Sequence, residues 1–340
     1  MLTDTTNLDK AADILKKGGL VASPTETVYG LCANALDEEA VKKIYIAKGR
    51  PSDNPLIVHI SNISMLDNLV IDIPPLAQKL IDSFWPGPLT IVFKASKNIS
   101  KTVTGGLDTV AVRFPSHPIM QKLIQTSNLP LAAPSANTSG KPSPTNANRV
   151  IEDLSGKIEG IIIGGDCSYG VESTVVDSTS SPATLLRPGG ITYEMLTTVL
   201  GEVHVDSTLG HALKEGETPK APGMKYTHYS PNADVFIVKG DHTRVINEIN
   251  SLALKAKNEN KKVGILATDE TIDLLSADLV LSTGSALSPS TIASNLFETL
   301  RAFDDKHIDI VYSVAFCEDG IGYAIMNRLE KSAGYKIINV

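Results

Sequence analysis

Cysteine is scarce in this 340-residue chain: Cys32, Cys167 and Cys317 stand far apart, in odd number and without paired spacing. That pattern excludes a disulfide framework and a paired-cysteine zinc module, and buried or half-buried thiols are expected. Long apolar runs are missing as well. Ile161 to Ile163 and the stretch after Asp309 are far too short to span a bilayer. No opening segment combines a basic start, an apolar core and a small-residue cleavage site, so no signal peptide and a cytoplasmic chain are expected. Positive charge is in deficit too: 31 lysines and arginines against 38 acidic residues leave a formal net charge of -7. A protein that works mainly by gripping nucleic-acid phosphates is disfavoured by that balance, although a local cationic pocket is not. Finally, no G-x-x-x-x-G-K-[ST] loop occurs, which argues against a P-loop ATPase.

What is present divides near residue 200. Before it, strand-like segments dominate at irregular spacing: Leu20–Ser23, Leu56–Ile60, Leu89–Lys94, Val110–Phe114, Leu131–Ala133, Gly160–Ile163 and Thr174–Asp177. Helical periodicity falls between some of them, at Asn7–Lys17, Glu38–Ile46, Pro75–Phe84 and Pro118–Ser127. This is an α/β chain of the α+β kind, with a large mixed sheet over residues 1–204. Residues 205–231 are polar, glycine-bearing and bracketed by prolines at their end, and are expected to link two domains. Over 232–340 strands and helices alternate, which predicts a smaller parallel α/β domain of Rossmann-like form. Gly320 and Gly322 precede its last helix, but Ile325 replaces the third glycine of a dinucleotide fingerprint. A tight turn into the helix is the expected reading.

Most of the chemistry sits in the first domain. Pro24-Thr25-Glu26-Thr27-Val28-Tyr29-Gly30 interrupts an apolar strand with hydroxyls and a carboxylate, and reads as a strand-to-helix turn able to face an anion. Lys48-Gly49-Arg50-Pro51-Ser52-Asp53-Asn54-Pro55 places two cations beside stiffening prolines. Strand parity puts His59 on one face with Ile57, and Arg113 on one face with Thr109 and Ala111. An arginine among small residues on a central strand needs solvent or an anionic partner, and a substrate carboxylate suits its fork. A second hydroxyl-rich loop, Ala133-Pro134-Ser135-Ala136-Asn137, runs on to Ser143. Glu172-Ser173 and Arg187-Pro188-Gly189 follow.

Together these segments resemble the threonylcarbamoyl-AMP synthase family in its long, two-domain form. The resemblance rests on PTETVYGL, KGRPSDNPLIVHI, FWPGPLT, DTVAVRFP, APSANTSGKPSPT, GVESTVVD, LLRPG and PGMKYTHY, in that order across residues 20–230. It implies a YrdC-like catalytic domain and a nucleotidyltransferase that makes threonylcarbamoyl-AMP, pyrophosphate and water from L-threonine, bicarbonate and ATP, for tRNA modification. Carried over by position, it implies a threonine site of Thr27, His59, Arg113, Ala133 and Ser173. It implies an ATP site of Arg50, Asn54, Thr109, Ser135, Ser143, Arg187 and, from the linker, Tyr226, which is expected to fold over the nucleotide. Lys48 belongs to the same basic motif and is added as a phosphate ligand, with Lys48 and Arg50 as the catalytic cations. Mg²⁺ is expected to be held mainly by ATP, without a metal cage of its own. Partners so implied are a downstream tRNA threonylcarbamoyl transferase and a weak tRNA contact, with no membrane. Two positions depart from the pattern: Cys32 stands where glycine is common, and Thr227 where the linker usually has arginine. The alternative expectation is a non-catalytic RNA-binding protein.

Overall fold

The computed structural model describes residues 7–211 and 228–340. By proximity of their Cα atoms the described residues form two compact units, the first essentially up to Leu209 and the second over 228–340, with Gly140–Pro142 grouped with the second.

The first unit is built on a ten-stranded sheet. Its strands are β1 (Val21–Ser23), β2 (Gly30–Asn34), β3 (Ile57–His59), β4 (Leu89–Lys94), β5 (Thr109–Arg113), β6 (Leu131–Ala132), β7 (Gly160–Ile161), β8 (Thr174–Asp177), β9 (Ala183–Arg187) and β10 (Val203–Val205). They lie in the order β10-β9-β8-β4-β5-β3-β6-β2-β1-β7. Parallel pairs (β3 with β5, β4 with β8, β9 with β10, β1 with β7) alternate with antiparallel ones, so the sheet is mixed, as the irregular spacing predicts. Around it pack α1 (Leu8–Lys16), α2 (Glu38–Lys48), α3 (Pro75–Phe84), α4 (Lys101–Thr104), α5 (Pro118–Ser127), α6 (Ala147–Leu154) and α7 (Tyr193–Leu200). Helix α2 shows why such a segment starts and stops. The Asp37 side chain accepts from the Glu39 and Ala40 amides, and Gly49 closes the helix in the left-handed conformation, φ 61°. Under α1 and α5, residues such as Leu15, Leu123, Ile124 and Leu131 form one dry cluster.

The second unit carries β11 (Asp234–Lys239), β12 (Val263–Ala267), β13 (Leu279–Ser282), β14 (Ile310–Val314) and β15 (Ile337–Asn339), all parallel, in the order β13-β12-β14-β11-β15. Helices α8 (His242–Asn258), α9 (Pro289–Asp305) and α10 (Ile321–Ser332) flank it. This is the parallel α/β domain expected from the alternating pattern. Gly320 precedes α10 at φ 56° and Gly322 lies in its first turn, where a Cβ would stand 2.0 Å from the Cys317 carbonyl oxygen, so these glycines serve the close-packed turn into the helix that was read from the sequence. No helix among the described residues is long and apolar enough to cross a membrane.

Two expectations need correcting. Pro24–Tyr29 does not lead into a helix: the chain continues as β2, which pairs antiparallel with β1, Ser23 opposite Gly30. Its hydroxyls therefore stabilise a connection between strands, and α2 begins later, on its own Asp37 cap. Cys32 and Cys167 are buried as expected, but Cys317 is exposed.

Candidate active site

The connection from β1 to β2 is held by its own hydroxyls. Thr25 Oγ1 donates to the Val28 carbonyl at 2.6 Å and accepts from the Thr27 and Val28 amides at 3.1 and 3.2 Å. This winding turns Thr27 toward β5, where its Oγ1 accepts a 2.8 Å bond from Arg113 Nη1. Glu26 turns the same way: its carboxylate lies 2.8 Å from Arg113 Nη2 and accepts from the Ser116 amide at 3.1 Å. Arg113 Nε also donates to the Gly87 carbonyl. Arg113 and Glu26 are both buried. Burial pushes the Glu26 carboxyl up, but the charge and hydrogen bond of the Arg113 guanidinium outweigh it and hold the group below its usual range. Glu26 Oε2 has no hydrogen-bond partner among the described residues.

Register extends this pair into a row across the sheet. His59 lies opposite Arg113 on β3 and β5, and Thr90 lies opposite Arg113 on β4 and β5. Partners directly opposite one another project to the same face. Thr90 Oγ1 shares a 2.8 Å hydrogen bond with Ser173 Oγ, which also accepts from Arg187 Nη2 at 3.1 Å. Arg187 Nε donates to the Ser173 carbonyl at 3.0 Å. On the same face, beside this row, Ile57, Val92, Ala111 and Val175 make an apolar patch. His59 is deeply buried, and its Nδ1 faces the Ile57 carbonyl at 3.3 Å. Burial first, then the Arg113 charge, lowers its pKa to about 3. The imidazole is therefore neutral at physiological pH, with Nδ1 as donor and Nε2 left to accept.

A second cluster belongs to the loop after β6. The Leu31 amide donates to the Pro134 carbonyl, the Ala136 amide to the Tyr29 carbonyl and the Tyr29 amide to the Pro144 carbonyl. The loop is thereby fastened alongside residues 29–31. Gly30 allows this approach, since a Cβ there would lie 3.3 Å from that of Ala133. Lys48 is buried beneath, its Nζ donating to the Ser135 and Asn137 carbonyls and to Asn137 Oδ1 at 3.2 Å. Ser135 Oγ donates to Asn137 Oδ1 at 2.6 Å, and Ser143 Oγ to Glu172 Oε1. Lys48 thus shapes the loop that carries Ser135.

Arg50 and Asn54 lie on the loop between α2 and β3. Arg50 Nη2 reaches the Asn54 and Pro55 carbonyls at 3.4 and 3.3 Å. Asn54 is 1% exposed, yet among the described residues neither its Nδ2 nor its Oδ1 has a hydrogen-bond partner. A buried amide left unsatisfied costs about 1–3 kcal/mol, and a ligand reaching it would recover that. Thr109 opens β5 opposite Lys94, on the face shared by Ala111 and Arg113. The structure therefore joins Thr27, His59, Arg113, Ser173 and Arg187 in one row, and brings Lys48 of α2 against Ser135 and Asn137 of one loop. Tyr226 lies outside the described residues.

These motifs have counterparts in known proteins. A family model described as "Telomere recombination", spanning Sua5, YciO and YrdC, matches residues 13–189. One described as "Threonylcarbamoyl-AMP synthase, C-terminal domain" matches residues 191–334. A threonylcarbamoyl-AMP synthase of Pyrococcus abyssi is 50% identical over 97% of this chain and 95% of its own. The chain belongs to the threonylcarbamoyl-AMP synthase family. The synthase of Bacillus subtilis strain 168 is 48% identical, over 99% of this chain and 95% of that one. Among solved structures, P. abyssi Sua5 complexed with L-threonine matches with a TM-score of 0.94 at 48% identity, covering 100% of this chain and 98% of that one.

In this member of the threonylcarbamoyl-AMP synthase family, three partners escaped sequence reasoning. Glu26 sits between two threonines in a quoted motif, yet only the folded connection reveals its pairing with Arg113. Thr90 ends the FWPGPLT block and joins the row only through the register of β4 against β5. Glu172 precedes Ser173 and takes the Ser143 hydroxyl. The argument that Arg113 needs an anionic partner holds, but Glu26 already supplies one within the chain.

Proposed function

We propose that this chain joins L-threonine and bicarbonate to the AMP moiety of ATP, giving threonylcarbamoyl-AMP, pyrophosphate and water for threonylcarbamoyladenosine formation in tRNA. The observation that carries this reading is the buried row Thr27–Arg113–Thr90–Ser173–Arg187 beside an apolar patch on the same sheet face, in a chain 48% identical to a threonine-bound structure. Arg113, held on one side by Glu26 and Thr27, faces the threonine carboxylate. The neutral His59 presents an acceptor to the threonine hydroxyl or amine, and Ala133 and Ser173 complete that side.

The threonine amine adds to CO₂, or to bicarbonate with loss of water, and forms a carbamate. A carbamate oxygen attacks the α-phosphorus, and pyrophosphate departs. The chain's part is to hold the reactants in line and to place Arg50, Asn54, Thr109, Ser135, Ser143 and Arg187 around the nucleotide. Lys48 acts by fixing the Ser135 loop. Mg²⁺ carried by the triphosphate would supply neutralisation of phosphate charge there, and Asn54 Oδ1 is an oxygen donor that could hold it. At pKa about 3, His59 is too weak a base to carry the proton of the amine. The downstream acceptor of the adenylate is a tRNA threonylcarbamoyl transferase, and the reaction is assigned to the cytoplasm.

The test is an omission experiment with purified protein, ATP, Mg²⁺, bicarbonate and L-threonine, following pyrophosphate and the adenylate mass. Release that requires both threonine and bicarbonate, together with the threonylcarbamoyl-AMP mass, is the expected result. Threonine-independent release, or none from folded protein that retains tRNA at moderate salt, would move the reading to an RNA-binding role.

A further inference from the structure

The second unit has a crevice that the proposed reaction does not use. It opens at the carboxyl ends of the parallel strands, between the chain leaving β12 and the chain leaving β14. In the order β13-β12-β14-β11-β15, the chain from β12 turns outward to β13, while that from β14 turns the other way, to β15. Diverging connections of this kind leave an opening above the sheet, where ligands of parallel α/β domains bind. The cavity here is about 360 Å³, within the ~300–1,000 Å³ span of small-molecule sites.

Its wall is specific in character. Val245 and Ile246 of α8, Ile292 of α9 and Val314 of β14 supply buried aliphatic surface. Thr268 and Thr271 line it too, but their hydroxyls are engaged with each other at 3.2 Å and with the Thr268 backbone. Among the described lining residues none is a carboxylate, and the basic side chains are Lys239, at the end of β11, and His242. The ammonium of Lys239 is held at the mouth by Glu318, with both side chains about half exposed (48% and 49%). An exposed pair of this sort is worth little, so an incoming anion can take Glu318's place at small cost.

We infer that this carboxyl-end crevice binds a small amphipathic acid, its apolar body against Val245, Ile246 and Ile292 and its anionic group on Lys239. The apolar wall accounts for the body, and the cation at the rim, with no carboxylate in the lining, for the sign of the charge. The site needs no residue of the first unit.

Indole-3-acetate is a suitable probe, with indole as its neutral and tryptamine as its cationic counterpart. Each is titrated into the full-length protein carrying ¹³C-labelled isoleucine and valine methyls. The expected result is a saturable shift of the Ile246, Ile292 and Val314 methyls with indole-3-acetate. Tryptamine should produce none at the same concentration. Lys239→Gln should weaken indole-3-acetate at least fivefold while leaving indole unchanged. Ala286→Trp, at an exposed position on the rim, should abolish both, with the rest of the methyl spectrum retained as proof of folding. Cavity methyls that do not move, tryptamine binding as tight as that of the acetate, or affinity indifferent to Lys239→Gln would each overturn the assignment.

Discussion

Replacing Glu26 by glutamine removes the negative charge that faces Arg113 and changes little else. The two charges are 2.8 Å apart, with side chains only 7% and 4% exposed. At that distance an effective dielectric of about 20 gives about 6 kcal/mol of attraction. Desolvation opposes it, and breaking one side of a buried pair costs about 3–5 kcal/mol, because the other charge stays buried. Glutamine keeps an acceptor for the Ser116 amide, so Glu26→Gln should cost about 3 kcal/mol. For a unit of this size that corresponds to a fall in Tm of about 6–12 °C. The assay can be confined to the first unit, since Trp85 is the chain's single tryptophan and its indole donates to the Leu89 carbonyl at the start of β4. Following its fluorescence on heating reports this sheet and not the second domain. Saturating L-threonine should restore part of the loss, because its carboxylate gives Arg113 a new counter-charge. The pH dependence has a definite sign. The folded carboxyl titrates below its ordinary 4.5, so the stability it adds is present above that value and drains away as the pH falls beneath it. A variant that melts within about 1 °C of the parent, with no threonine effect, would show that the pair does not hold the site and refute this account.

Other outcomes follow from neighbouring groups. Asn54→Leu removes a buried, unpartnered amide, so the free protein should gain about 1 kcal/mol in a Trp85-monitored melt while its ATP affinity drops at least about tenfold. With its pKa at about 3, His59 should show no NMR titration between about pH 5 and 8, and a midpoint near 6.5 would contradict its burial. Because the unfolded histidine takes a proton near 6.5 and the folded one does not, its contribution makes stability fall as the pH drops below that value. Lys48→Met deprives the Ser135 and Asn137 carbonyls of their donor; losing charge-assisted bonds worth about 1.5–3 kcal/mol should raise KM for ATP roughly ten- to a hundredfold, read from pyrophosphate release.

Much of this was legible in the sequence, for identifiable reasons. The helices Pro75–Phe84 and Pro118–Ser127 carry proline at their first positions and clear apolar faces, and the structure reproduces both spans. Strand parity set Thr109, Ala111 and Arg113 on one face before any pairing was known. Three strands of the first unit were not legible. β2 is Gly30–Asn34, five residues buried almost throughout, and it shows no alternation to distinguish it from a loop running into α2. β9 and β10 are not among the expected strands either: β9 runs into the Arg187-Pro188-Gly189 turn, and β10 into polar chain. What local pattern cannot supply is register. Thr90 and Ser173 stand 83 positions apart, and only the placement of β4 beside β8 brings their hydroxyls together.

That long-range construction has a consequence for how the protein comes into being. The row from Thr27 to Arg187, His59 and Thr90 included, draws on six segments, and its last member arrives only after more than half the chain has been synthesised. No nascent fragment ending before β9 contains the complete row. Contacts of such wide sequence separation also close slowly, since loop entropy must be overcome before they are rewarded. Ligand capture should therefore coincide with completion of the whole sheet, and threonine should protect backbone amides throughout the first unit from hydrogen exchange, not only those lining the pocket.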